Sequence, residues 1–152
     1  MELRRVAYTE VAALVAALDA ELTERYGGGD DVHVEPSDFD ADHAVLLAGS
    51  VDGADVALGG VRRLSPGVGE LKRMYVDPTM RGRGLSRVLL RALLEFASEA
   101  GYREVWLETG LKQPEAIGLY ESVGFEPIPP FGQYADEPDS RCFRLVLDDL
   151  RP

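Results

Sequence analysis

The chain has only one cysteine, Cys142, among its 152 residues. A single cysteine excludes an internal disulfide and a cysteine cluster for zinc, and it is typical of a reducing compartment. Long apolar runs are also lacking, since no stretch approaches the roughly 18 residues that cross a bilayer as a helix. The first helical segment carries Asp19, Glu21 and Glu24, whereas a signal peptide would be uncharged there. These absences predict a cytoplasmic protein.

Basic residues are scarce relative to acidic ones. Lys and Arg total 16 against 27 Asp and Glu, which gives a formal charge of −11 and a sequence pI near 4.6. Such a field repels nucleic acids and anionic membranes, so neither is expected as a partner. It favours a cationic small substrate such as an amine, although an acidic surface often serves only solubility.

The length and the 45% hydrophobic composition fit one domain over residues 1–152. Thr9 is suited to cap a first helix, and Asp52-Gly53 is typical of a type I′ hairpin turn. A stripe of Leu85, Val88, Leu89, Ala92, Leu93 and Phe96 is expected to be the buried face of a second helix. The pattern predicts strands at 2–8, 44–51, 55–64, 68–76, 102–108 and 141–147, and helices from residue 9, at 85–100 and at 114–123.

The segment from Gly69 to Ser86 is the most informative part of the chain. A short strand ends at Val76, and Arg81-Gly82-Arg83-Gly84-Leu85-Ser86 then leads into an apolar helix. A helix N-terminus offers unpaired N–H groups and a positive dipole end, and glycines let a ligand approach the backbone closely. The segment therefore predicts an anion site, although glycine at a turn before a helix is also ordinary loop punctuation.

Two other phosphate-binding loops do not match this segment. The dinucleotide fingerprint requires a third glycine where Arg87 stands, and the P-loop requires Lys followed by Ser or Thr where the chain has Leu85-Ser86. The predicted anion site therefore belongs to neither of these two loop types.

The order of strand, Arg-Gly loop, helix, strand and the segment Ala116-Ile-Gly-Leu-Tyr120-Glu-Ser-Val-Gly124-Phe125 resembles the GNAT superfamily of acyl-CoA-dependent N-acetyltransferases. The resemblance is strong from Ala57 to Phe125. It implies an α/β fold with a central, mixed and mostly antiparallel sheet of six to seven strands. In that fold the sheet is split at the acetyl-CoA site and carries helices on both faces.

The resemblance also implies where acetyl-CoA binds. Loop amides hold the pyrophosphate, free backbone groups of the splayed strand hold the pantetheine arm and the acetyl carbonyl, and a tyrosine approaches the thioester sulfur. Two positions depart from the usual pattern, because Ser86 replaces Gly or Ala and Gln113 replaces Asn. The residues so assigned to the cosubstrate are Met74, Tyr75, Val76, Arg81, Gly82, Arg83, Gly84, Leu85, Ser86, Gln113, Ala116 and Tyr120.

Amide formation from a thioester requires a neutral amine and a proton for the departing thiolate. Tyr120 is the candidate acid, with a buried aromatic packing on the sheet as the alternative. Glu70 is the candidate general base, because histone-acetylating relatives carry theirs at this spacing; an ion pair with Lys72 or Arg73 is the alternative. Alternation places Glu70, Lys72 and Met74 on one face of the strand until an expected bulge disturbs it.

Glu108 and Thr109 end the neighbouring strand and are candidates for binding the amine or relaying a proton, although Glu108 is equally suited to cap the next turn. The segment from Gly27 to Asp42 matches the part of the family that lines the acceptor site. The aromatic loop Pro129–Tyr134 suits an acceptor-site wall, a dimer contact or simple packing.

The predicted function is acetyl transfer from acetyl-CoA to a primary amine of a small molecule or peptide, by direct attack in a ternary complex and without a metal. A noncatalytic acyl-CoA-binding sensor or regulatory module is the alternative, because a cofactor loop does not by itself establish turnover. A homodimer is compatible with the resemblance.

Overall fold

The computed structural model describes residues 1–27 and 34–147. Within them, strands β1 (Glu2–Arg5), β2 (Val45–Val51), β3 (Ala54–Ser65), β4 (Val68–Val76), β5 (Glu104–Gly110), β6 (Glu126–Ile128) and β7 (Ser140–Val146) form one sheet in the order β1-β2-β3-β4-β5-β7-β6. Every pairing is antiparallel except that of β4 with β5. The α-helices are α1 (Ala12–Tyr26), α2 (Leu85–Glu99) and α3 (Pro114–Val123). This is the mixed α/β architecture expected from the sequence.

Helices cover both faces of the sheet. Leu14 and Leu18 of α1 pack with Leu46 and Leu58, whereas the leucines of α2 pack with Val45 and Ala57, which precede those residues on β2 and β3. Successive strand residues point to opposite faces, so α1 and α2 lie on opposite sides. None of the helices within the described ranges is long and apolar enough to cross a membrane.

Local signals in the sequence predict the turns well. Asp52 and Gly53 have φ values of 52° and 83°, as a type I′ turn requires, and they connect β2 to β3. Gly124 has a φ of 113° and ends α3 with a main-chain hydrogen bond to Tyr120 O. Glycine is suited to both positions because positive φ is strained for other residues.

Three expectations about local structure were wrong. The residue before α1 is Val11 rather than Thr9, because Tyr8–Val11 form a 3-10 turn first. The buried face of α2 comprises Leu89, Leu90, Leu93, Leu94 and Ala97, and Val88 of the expected stripe is 49% exposed. The third error is that the edge strand β6 was not predicted. This strand contains Pro127, and a sheet tolerates proline there because β6 pairs on one side only, with β7.

Strands β4 and β5 separate soon after they meet. Only three residue pairs connect them, from Val68–Glu104 to Glu70–Trp106. Farther along, β4 keeps its pairing with β3 through Val76, but its other edge has no ladder partner among the described residues. The split opens a cleft beside the second half of β4.

Candidate active site

The cleft lies between the end of β4, the N-terminus of α2 and the first turns of α3, and its volume is about 190 Å³. Every residue that the sequence assigned to the cosubstrate lines this cleft except Arg83, which is exposed outside it. The structure also places four lining residues that sequence reasoning missed, namely Glu21, Met80, Glu115 and Leu119. The spacing of Glu115 and Leu119 around Ala116 and Tyr120 on α3 could have revealed those two. Glu21 comes from a distant helix and left no local signal.

The loop before α2 has the geometry of an anion site. Gly82 and Gly84 have φ values of 81° and 78°, and Gly84, the residue before α2, has no side chain that could cap the amides of its first turn. A methyl group built on either glycine would meet nothing within 4 Å, so their Cα atoms border open space. Unpaired amides at a helix N-terminus bind phosphate groups, and the loop therefore fits the pyrophosphate of coenzyme A.

The arginines near the loop are mostly engaged in protein contacts. Arg81 donates from Nε to Val76 O at 2.9 Å, and its Nη2 lies 2.7 Å from Glu21 Oε1. Arg87 donates to Ser122 Oγ at 2.8 Å. Arg81 thus fastens the loop to β4 and α1 while it also lines the cleft.

A bulge reorients β4 beside the cleft. Arg73 has a φ of 63°, and Arg73 and Met74 together oppose the single residue Gly59 on β3. The extra residue moves Met74 to the face covered by α2, where its Sδ approaches the Cα of Gly59, while Glu70 and Lys72 stay on the other face. The bulge therefore interrupts the alternation between Lys72 and Met74, so Met74 does not share the face of Glu70 and Lys72.

Tyr120 is 6% exposed and lines the cleft from α3. Its ring packs edge-on against Phe125, with the centroids 5.6 Å apart, so the expected aromatic packing is also present. Burial, and then the negative charge of Glu108, raise the pKa of the Tyr120 phenol. The hydroxyl therefore keeps its proton at neutral pH and can donate a hydrogen bond into the cleft.

Glu70 lies in a buried ion-pair network. The residue is 3% exposed, its Oε1 accepts from Arg62 Nε at 3.1 Å, and its Oε2 lies 3.9 Å from Lys72 Nζ. Lys72 in turn donates to the hydroxyl of Tyr134 at 2.6 Å. Arg73, the other partner expected for Glu70, instead pairs with Asp19. Both carboxylate oxygens of Glu70 thus lie next to cations, and Glu70 is not among the described residues that line the cleft.

Glu108 is half-buried at the cleft end of β5. Its Oε2 accepts from Ser140 Oγ at 3.3 Å, and its charge acts on the phenol of Tyr120. Thr109 is buried and, by strand alternation, points to the opposite face, so the structure does not bring it together with Glu108. Cys142 is opposite Glu108 on β7, and burial raises the pKa of its thiol.

The loop at Pro129–Tyr134 covers the same face as Glu70 and Glu108. Phe131 packs edge-on against Trp106 of β5, and Tyr134 packs against Phe131 while accepting from Lys72. Residues 28–33 of the segment expected to line the acceptor site lie outside the described residues. Within the described ranges, no three His, Cys, Asp or Glu side chains are grouped as a metal site would require.

Four tyrosines carry a phenol whose pKa is raised, chiefly by burial: Tyr26, Tyr75, Tyr102 and Tyr120. In the unfolded chain each ionises near pH 10, whereas the folded chain keeps the proton to higher pH. We therefore expect the free energy of unfolding to fall as pH rises from about 10. Urea unfolding at pH 8 and pH 11 measures this fall, which should be smaller in Tyr120→Phe.

Comparison with known proteins agrees with this geometry. The model of the acetyltransferase (GNAT) family matches residues 12–125, and the chain belongs to this family. A solved structure from Klebsiella pneumoniae, described as an acyl-CoA N-acyltransferase, is 33% identical to this chain. The two superpose with a TM-score of 0.79 over 96% of this chain and 97% of that one. YncA of Salmonella typhimurium, solved with its cofactor acetyl-CoA, shares the fold at 20% identity and a TM-score of 0.75, over 97% of this chain and 94% of that one.

Among curated proteins, an IAA acetyltransferase of Azospirillum brasilense is 44% identical over 72 residues, which are 47% of each chain. An uncharacterised N-acetyltransferase of Escherichia coli is 46% identical over 59 residues, which are 39% of this chain and 35% of that protein. The matched parts thus span about half, or less, of the curated relatives.

Proposed function

We propose that the chain is an N-acetyltransferase that moves the acetyl group of acetyl-CoA to a primary amine of a small molecule or peptide. The observation that carries the proposal is the cleft itself. It joins a loop of unpaired amides at the N-terminus of α2 to the free edge of β4, and Tyr120 lies along its wall. The loop before α2 suits the pyrophosphate of the cosubstrate. The free edge of β4 suits its amide-containing arm, and the phenol of Tyr120 suits its thioester.

When bound, acetyl-CoA supplies an acyl group with a thiolate leaving group. In the proposed reaction a C–N bond forms as the C–S bond breaks. The main-chain amide of Met74 or its neighbour binds the carbonyl oxygen as it gains negative charge, and the phenol of Tyr120 donates its proton to the departing sulfur. Burial raises a thiol's pKa as well, so the proton transfer remains feasible in a water-poor cleft.

The amine must lose a proton before or during the attack. We propose Glu108 as the carboxylate that binds the amine and accepts this proton, because it is only half-buried, it lies near the end of β5 where β5 has separated from β4, and its charge acts on Tyr120. The base role of Glu70 stays a prediction, and its two cationic partners argue for a structural role. We further propose a single acetyltransferase domain over residues 1–152, a cytoplasmic location and a homodimeric assembly.

The test is thiol release from acetyl-CoA in the presence of a panel of amines, peptides and aminoglycosides. Turnover with at least one amine supports the proposal, and competition with longer acyl-CoAs defines the acyl preference. Tight binding of acetyl-CoA without thiol release from any acceptor would instead support the sensor module.

The loop geometry allows a separate binding prediction. Gly84→Ala forces an L-residue into positive φ and places a methyl group in the open space of the cleft, so we expect the Kd for acetyl-CoA to rise about tenfold. Calorimetry measures the change. Gly101→Ala is the matched control, because Gly101 has a φ of 95° beyond the other end of α2 and also borders open space. Equal loss of affinity in both variants would contradict a specific role for the loop.

A further inference from the structure

Arg73 adopts an unusual conformation for a strand residue. Its φ of 63° is strained for any residue with a side chain, and a glycine would adopt it freely. The long side chain is nevertheless only 7% exposed. A strained backbone and a buried guanidinium are both unfavourable, so the side chain must contribute something that a glycine would not.

The guanidinium connects the bulge to the N-terminal part of the chain. Nε and Nη2 of Arg73 lie 3.2 and 2.9 Å from the hydroxyl of Tyr8, and Nη2 lies 2.8 Å from Asp19 Oδ1 on α1. Tyr8 is itself held by stacking on Phe39, at 6.0 Å between centroids. Nη1 is buried and has no hydrogen-bond partner among the described residues. A buried guanidinium that leaves one nitrogen unpaired is poorly explained by stability alone.

The bulge determines which groups of β4 border the cleft. It moves Met74 to the α2 face, and it precedes Tyr75 and Val76, which with Met74 line the cleft. Gly59 makes room for this arrangement, since a methyl group there would come within 2.7 Å of Met74 Sδ. Any rotation at Arg73 would therefore redirect the main chain at Met74, which borders the cleft.

We propose that Arg73 is a positioning residue: anchored to Tyr8 and Asp19, it holds the bulge of β4 so that the main-chain amide at Met74 is aligned with the acetyl carbonyl of bound acetyl-CoA. This inference rests on the proposed function. Loss of Arg73 should weaken binding of the acetyl group beside Met74. It should not weaken binding of the pyrophosphate, which is assigned to the loop at Gly82 and Gly84.

The test compares acetyl-CoA with free coenzyme A, which lacks the acetyl carbonyl. Arg73→Gly keeps positive φ accessible but removes the anchor, and we expect it to raise the Kd for acetyl-CoA about fivefold, as for loss of one hydrogen bond. The Kd for coenzyme A should stay within about twofold, because the loop amides are unchanged. Calorimetry gives both constants. Arg4→Ala, which breaks the exposed pair of Arg4 with Asp55, is the control and should change neither.

A second variant tests the anchor without altering β4. Tyr8→Phe removes the hydroxyl that accepts from Arg73, so it should shift the acetyl-CoA Kd in the same direction, and it should add nothing in the Arg73→Gly background. A purely structural role would lower the melting temperature and leave the ratio of the two Kd values at its wild-type value. That outcome, or additive effects in the double variant, would overturn the proposal.

Failure of the proposed function has a different signature, because wild-type protein would then bind neither ligand. In that case hydrogen exchange of the ligand-free protein decides the anchoring role. Exchange over residues 71–76 should be at least about tenfold faster in Arg73→Gly, while β2 is unchanged. Unchanged exchange over 71–76 would overturn the role of Arg73 independently of catalysis.

Discussion

Tyr120→Phe is expected to lower kcat for acetyl transfer by about 100-fold, the lower range for loss of a general acid. The ring and its packing on Phe125 are retained, and only the hydroxyl that faces the cleft is lost. The Kd for acetyl-CoA should therefore stay within about twofold, because the loop and strand contacts that bind the ligand are unchanged. Steady-state kinetics and calorimetry separate the two effects.

Tyr102→Phe is the matched control for this variant. Tyr102 is 4% exposed in the same apolar cluster as Tyr120, but its hydroxyl donates to the main-chain oxygen of His43 at 2.6 Å and it does not line the cleft. Loss of this hydrogen bond in Tyr102→Phe should lower the free energy of unfolding by about 1 kcal/mol and leave kcat unchanged. A Tyr120→Phe enzyme with wild-type kcat would show that Tyr120 serves only packing.

Glu108→Gln and Glu70→Gln should fail in different ways. Loss of the Glu108 carboxylate is expected to lower kcat/KM for the amine by about 100-fold with little change in stability, because it removes the proposed general base from a half-buried position. Loss of the Glu70 carboxylate leaves Arg62 and Lys72 without their shared anion, so the free energy of unfolding should fall by about 3 kcal/mol. Kinetics and urea unfolding of both variants measure these changes.

Glu104→Gln is the matched control for Glu108→Gln, because it removes a carboxylate from the same face of β5. Glu104 pairs with Arg144 and accepts from Trp106 Nε1, at the far end of the strand from the cleft. It should show wild-type kinetics. If Glu70→Gln were instead fully folded and inactive while Glu108→Gln turned over normally, the base would be Glu70, as the sequence first predicted.

The parts of the site that could be predicted from the sequence depend on short-range chemistry. Gly82 and Gly84 adopt positive φ, which glycine does readily because it has no Cβ. Helix α3 runs from Pro114 to Val123 because proline begins it and glycine follows it. Such signals act within a few residues. They locate the loop, the helix and the tyrosine before any tertiary structure is known.

Side-chain partners from distant parts of the chain could not be predicted in this way. Arg81 contacts Glu21, 60 positions earlier, so an arginine assigned to the cosubstrate also holds the loop to α1. Lys72 and Tyr134 are separated by 62 positions and meet only because β4, β5 and β7 are neighbours in the sheet. The buried face of α2 was predicted only in part. Leu89 and Leu93 of the expected stripe are buried, and both approach Gly59 of β3. Leu90, Leu94 and Ala97 are also buried, because the sheet and not the helical period alone decides which side chains of α2 are covered.

The three residue pairs between β4 and β5 have a consequence for thermal stability. Beyond Glu70 and Trp106 the sheet lacks its ordinary cross-strand bonds, and an amide-bearing arm inserted there would supply some of them. Bound acetyl-CoA would then connect β4 to β5 across the split in the sheet, in addition to taking part in the reaction. At 100 times its Kd, such a ligand adds about 2.7 kcal/mol to the free energy of unfolding, so the protein with bound cosubstrate should melt at a clearly higher temperature than the protein alone.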